Sequence, residues 1–119
     1  MPDIINRNDI ELLIETFYSN LLIIDEMKPV FEGLDFEKHI PHIVSFWSLV
    51  LLDEEGYTTN VFDKHINLPI KPPMFDVWLK IFTRTVDDLF TGNNAELAKQ
   101  RATVIAFTFK SKWEKMYPE

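Results

Sequence analysis

The side chains of this chain that could do chemistry come in the order Tyr18, Phe31, His39, Ile43, Trp47, His65 and Trp78. His65 stands in the stretch FDKHINLPIKPP, ahead of Pro69, Pro72 and Pro73, in a chain with no cysteine. A neutral imidazole is a suitable nitrogen ligand for iron. Phenol and indole rings present a large apolar body with one hydrogen-bond donor each. One physical account covers the whole set: a flat, apolar, iron-bearing cofactor held by one axial imidazole, with donors on its opposite side.

Each residue taken singly has an ordinary reading as well. A lone histidine such as His65 caps a core or sits at the surface more often than it binds metal. Tyr18 reads as a core aromatic with its hydroxyl at the rim, and Trp47 and Trp78 as helix packing. His39 precedes the helix-opening Ile40-Pro41, where a histidine is ordinarily exposed.

The elements that must position these residues read as helices. Asn8 with Glu11 has the spacing of a capping box, and Ile10, Ile14, Phe17, Leu21 and Ile24 then recur at helical intervals, which predicts a first helix over 9–25. Tyr18 lies at the margin of that stripe. The segment DEMKPVFEGLD reads as a turn holding Phe31. A second helix is expected from about residue 40, with Pro41 in its first turn and Ile43, Phe46, Trp47, Val50 and Leu51 buried. His39 projects onto the line of Ile43 and Trp47. The turn-rich DEEGYTTN ends that helix, and VFDKHIN has room for one or two helical turns before Leu68-Pro69. A third helix is expected after Pro72-Pro73 and up to Phe90, carrying Phe75, Trp78, Phe82, Val86 and Leu89 on one face, with Gly92 as its stop. The fourth opens at Asn93 or Asn94 and turns Ala98, Ala102, Ile105, Phe109 and Trp113 inward.

The 119 residues suit one domain, 1–119, with one core. Only three glycines separate long periodic runs, which favours an all-α fold over short strands. The net charge of -7, without a lysine or arginine cluster, argues against nucleic acid and anionic membrane as partners. The absence of cysteine excludes disulfides and thiolate metal sites. FWSLVLL is far short of the ~20 apolar residues of a membrane span, and the polar N-terminus has no signal-peptide pattern. A cytoplasmic location is the expectation.

The strings FYSNLLIIDEMKPVF, HIPHIVSFWSLVLL, YTTNVFDKHINLPI, MFDVWLKIF and RATVIAF resemble, in order, the signatures of the group III truncated haemoglobins, small bacterial globins with two helices stacked over two. The resemblance runs from about residue 8 to residue 113. It implies a truncated globin-like two-over-two helical sandwich holding haem b, iron protoporphyrin IX. By the same resemblance His65 is the proximal iron ligand, Tyr18 and His39 are distal residues, and Ile43 and Trp47 line the pocket. Phe31 would stack on the porphyrin and Trp78 would join Tyr18 in donating to a bound ligand. Tyr57 and Lys64 are the expected contacts of the haem carboxylates. The chain departs from the pattern in the loop before His65, where Gly56 comes late and YTTNVF lacks the glycine and proline often found after the tyrosine.

The expected function is that of a b-type haem protein taking oxygen, nitric oxide or carbon monoxide at a histidine-ligated iron. Strong donors slow ligand release, which suits redox detoxification or sensing better than transport. Nitric oxide dioxygenase or peroxidase-like turnover would need a separate reductase, since nothing in the sequence supplies a flavin or nicotinamide site. The rival is a helical protein-interaction module with no cofactor, in which the aromatic residues are simply core.

Overall fold

The structure is a computed structural model that describes residues 1–31, 35–53 and 72–116. Tyr57, Lys64 and His65, the loop DEEGYTTN beyond Asp53 and the VFDKHIN turn lie outside the described residues, as does the side chain of Trp113.

Helix α1 spans Arg7–Leu21. Its cap is Asn6 and not Asn8: the Asp9 amide donates to Asn6 Oδ1 at 2.9 Å, and Asp9 Oδ2 accepts from the Ile5 amide at 3.0 Å. The cap therefore lies two residues ahead of the expected one, and the Asp9 carboxylate holds the residue before the cap instead of closing a reciprocal box. The helix also ends earlier than expected. After Leu21 the chain tightens, the Ile24 amide bonding the Leu21 carbonyl at 3.1 Å, and Ile24 leaves the buried face to become half-buried. A short helix α2, Lys28–Phe31, occupies the expected turn and buries Phe31.

Helix α3 spans Phe36–Leu52, starting ahead of the expected residue 40. Asp35 caps it, accepting from the Glu37 amide through Oδ1 and from the His39 amide through its carbonyl. Pro41 thus lies inside the helix, where it cannot donate to the Glu37 carbonyl, and is no marker of its first turn. His39 belongs to the helix itself. The face turned inward is Val44, Trp47, Ser48 and Leu51, while Ile43, Phe46 and Val50 are only half-buried, a rotation from the expected stripe. Asp53 ends the helix in the left-handed region at φ 56°.

Helix α4, Pro72–Leu89, takes both prolines into its first turn, where their missing N–H groups cost nothing. Helix α5, Asn93–Met116, begins at the expected place. Gly92 belongs to the start of α5 more than to the end of α4, because the Glu96 amide bonds its carbonyl at 3.0 Å. Its φ of +143° suits only glycine, and a Cβ there would meet the Asp3 carboxylate carbon at 2.5 Å.

That contact belongs to a strap. The N-terminal residues run over the α4–α5 turn, with the Thr91 amide bonding the Pro2 carbonyl and Asp3 receiving the Asn94 and Ala95 amides at 3.0 and 2.9 Å. Asp3 therefore caps α5 from a distant part of the chain, and Ile4 beside it is fully buried.

The four long helices pair as α1 on α3 and α4 on α5, with α1 also crossing α4 and α3 touching α5. Among the described residues there is no strand, and the arrangement is the all-α two-over-two sandwich. One continuous core joins Ile10, Leu13 and Phe17 of α1 to Phe82 and Val86 of α4 and to Ala98 and Ala102 of α5. The small alanines let α5 approach closely. No helix among the described residues is long and apolar enough to cross a membrane.

Candidate functional site

Between the two helix pairs lies a pocket open at its mouth and walled almost wholly by apolar side chains. Ligand sites commonly combine apolar walls with a few placed polar groups. Ile14, Phe17 and Tyr18 of α1 form one wall, with Met27 and Phe31 closing an end. Ile43, Phe46 and Trp47 come from α3, and Met74, Phe75, Trp78 and Phe82 from α4. Ile105, Ala106 and Phe109 of α5 complete it. No acidic or basic side chain is among the described residues that line it.

The structure thus gathers Tyr18, Phe31, Ile43, Trp47 and Trp78 from the sequence-derived set around one cavity. His39 does not line it. It sits behind Tyr18, with its Nε2 2.7 Å from the phenolic oxygen. Burial pushes the Tyr18 phenol up from its ordinary pKa, so the group stays protonated across the physiological range. Tyr57, Lys64 and His65 cannot be placed relative to the cavity, since they lie outside the described residues.

Rings fix both ends of this site. Around the polar end, Tyr18 meets Phe31 and Phe36 edge to face at centroid distances of 5.7 and 5.5 Å, and Phe36 also packs edge-on to His39 at 6.5 Å. Across the cavity Phe82 is sandwiched, 4.9 Å from Trp47 and 5.5 Å from Trp78 with interplanar angles of 20° and 12°. Phe17 links the two ends, its ring 5.2 Å from Tyr18 and 5.8 Å from Trp78. Such pairs contribute ~0.5–1.5 kcal/mol each beyond area burial, enough together to hold the donors in place.

Sequence reasoning placed Phe82 and Phe17 in helical stripes but gave them no part in the site. It missed Phe36 altogether, because the helix was started after it. The signal that could have found it is Asp35 as a cap, which puts Phe36 one turn ahead of His39.

Among the described residues no three His, Asp or Glu side chains converge to hold a metal ion. The pocket's own walls offer flat apolar surface, a neutral phenol and the indoles of Trp47 and Trp78. That combination fits a planar hydrophobic cofactor whose central atom takes its protein ligand from another segment.

No family model matches the chain. It is 29% identical over 114 residues, 90% of either chain, to the group 3 truncated hemoglobin ctb of Campylobacter jejuni subsp. jejuni serotype O:2. The crystal structure of a group III truncated hemoglobin from Campylobacter jejuni matches with a TM-score of 0.87 at 28% identity, over the whole of both chains.

Proposed function

We propose that this chain, similar in sequence and fold to the group III truncated haemoglobins, is a haem b protein that takes up a diatomic gas. The observation that carries the reading is the aromatic-walled pocket, with no charged side chain among its described lining residues, whose wall includes both Tyr18 and Trp78. Phe31, Ile43, Trp47 and Phe82 would hold the flat faces of the haem, and His65 would bind its iron. Tyr57 and Lys64 would meet its carboxylates. When bound, the haem supplies an iron with one position at which oxygen, nitric oxide or carbon monoxide exchanges.

The protein's part is to orient donors and exclude water. Tyr18 is neutral and buried, so its hydroxyl donates or accepts according to the His39 tautomer. With the proton on Nε2, His39 donates to the phenolic oxygen and leaves the phenol hydrogen for a ligand in the pocket. With the proton on Nδ1, the phenol donates to Nε2 and is withdrawn from the ligand. Hydrogen bonds to a charge-bearing partner are worth ~1.5–3 kcal/mol each, so Tyr18 and Trp78 together would slow gas escape on the order of 100-fold or more. Slow release supports redox detoxification or sensing over delivery. Sustained turnover of nitric oxide or peroxide would draw electrons from a separate reductase.

The test is the absorption spectrum of the purified chain after haem is offered, in ferric, ferrous and carbon-monoxide forms. An intense haem band with a carbon-monoxide shift at one haem per chain is expected. A chain that stays colourless would contradict the reading and favour a cofactor-free interaction module.

A further inference from the structure

The Tyr18–His39 pair has a second use. A phenol gives up an electron readily only if its proton leaves with it, because the oxidised phenol is a far stronger acid than the neutral one. The proton then needs a base within hydrogen-bond reach, and His39 Nε2 lies 2.7 Å from the Tyr18 oxygen. Among the described residues the rings packed on the phenol, besides His39, are those of Phe17, Phe31 and Phe36. Phenylalanine is much harder to oxidise than tyrosine, so these rings insulate an unpaired electron without taking it over. Tyr18 is itself only 5% exposed, which keeps it from coupling to another phenol in solution. Its place in the pocket wall puts it beside any oxidant formed there.

We infer that Tyr18 is a redox-active tyrosine, giving one electron to a peroxide-derived oxidant in the pocket while its proton passes to His39. In the step one electron leaves the Tyr18 ring for the oxidant, the Oη–H bond breaks and an Nε2–H bond forms. The products are a neutral phenoxyl, an imidazolium and an oxidant reduced by one electron. A one-electron donor from solution, such as ascorbate, returns the electron, and the proton goes back from Nε2 to restore the pair. The step requires the His39 tautomer with its proton on Nδ1, the one in which the phenol donates to Nε2. Its consequence is that oxidising equivalents are drained from the pocket before they damage Trp47 and Trp78. The inference rests on the reading of the pocket as a haem site, since that is where peroxide would generate the oxidant.

Haem-loaded protein is mixed with hydrogen peroxide and freeze-quenched for electron paramagnetic resonance. A second arm uses photogenerated ruthenium(III) tris-bipyridine, a one-electron oxidant that needs no haem, with a spin trap whose adduct is located by peptide mass spectrometry. A neutral tyrosyl signal is expected, its adduct on Tyr18, absent in Tyr18→Phe. In His39→Gln, which keeps a hydrogen-bonding amide but has no base, the yield should fall at least tenfold with haem content unchanged. A radical confined to tryptophan or to Tyr57 or Tyr117, an undiminished signal in Tyr18→Phe, or an equal yield in His39→Gln would overturn the inference. A chain that takes up no haem refutes the reading of the pocket instead, and the ruthenium arm still decides Tyr18.

Discussion

At the scale of single residues, the informative atom pair is Tyr18 Oη and His39 Nε2, 2.7 Å apart. Replacing Tyr18 by Phe removes one hydrogen bond while His39, only half-buried, can turn to water. The stability change should be about 1 kcal/mol, measured by urea unfolding, whereas gas escape followed by laser photolysis should quicken roughly 10–100-fold. An unchanged escape rate would mean that the phenol does not face the ligand. Phe36 offers a sharper separation, because it packs on Tyr18 and His39 without lining the cavity. Phe36→Ala should cost about 1–3 kcal/mol and also quicken gas escape, while Phe36→Leu, restoring bulk, should recover most of the stability but only part of the rate. The sequence made Ile43, Trp47 and Trp78 legible because each sits on a helical stripe that must face one interior, while Tyr18, at the margin of its stripe, and Phe31, in a turn, joined the set through the resemblance. It could not show that His39 stands behind Tyr18 rather than on the cavity wall, since that depends on the rotation of α3 against α1.

At the scale of elements, periodicity identified every long helix among the described residues, and apart from the rotated stripe of α3 the errors fell at the ends, where capping decides. Asn6 and Asp35 won over Asn8 and Pro41 because each accepts a backbone amide that would otherwise go unpaired. The strap at Asp3 was invisible in the sequence, for its partners are some ninety positions away at Asn94 and Ala95. Burial alone would raise the Asp3 carboxyl, but the amides of Asn94, Ala95, Ile4 and Asn93 together hold it below the usual carboxylate range. A depressed folded pKa means that the stabilisation is complete above the unfolded value near ~4 and is lost as pH falls through the folded value beneath it. Asp3→Asn should therefore be less stable than the natural chain by about 1 kcal/mol at neutral pH. That difference should close in thermal melts below about pH 4. A gap that persists at pH 2 would show that packing of the strap, and not the Asp3 charge, supplies the difference.

At the scale of the whole molecule, two helix pairs leave between them an apolar, aromatic-walled pocket, and the core around it is continuous from α1 to α5. A ligand that fills such a space stabilises the folded chain by mass action, about 4 kcal/mol at a thousandfold excess over its dissociation constant. Haem should accordingly raise the unfolding midpoint of the chain, and a midpoint indifferent to haem would mean that it binds elsewhere or not at all. The all-α class was legible because four amphipathic stripes with few glycines leave little choice but to pack helix on helix, whereas the two-over-two arrangement was implied only by the resemblance to the group III truncated haemoglobins. Which side chain would hold the iron lies outside the described residues, and in the proposed function it is His65, the histidine ahead of Pro69. The direct measurement is haem retention by His65→Gly, followed by absorption during gel filtration with and without added imidazole. The account predicts that the variant sheds its haem and recovers much of it when free imidazole fills the vacated ligand position. Haem retained as firmly as in the natural chain, without imidazole, would contradict it.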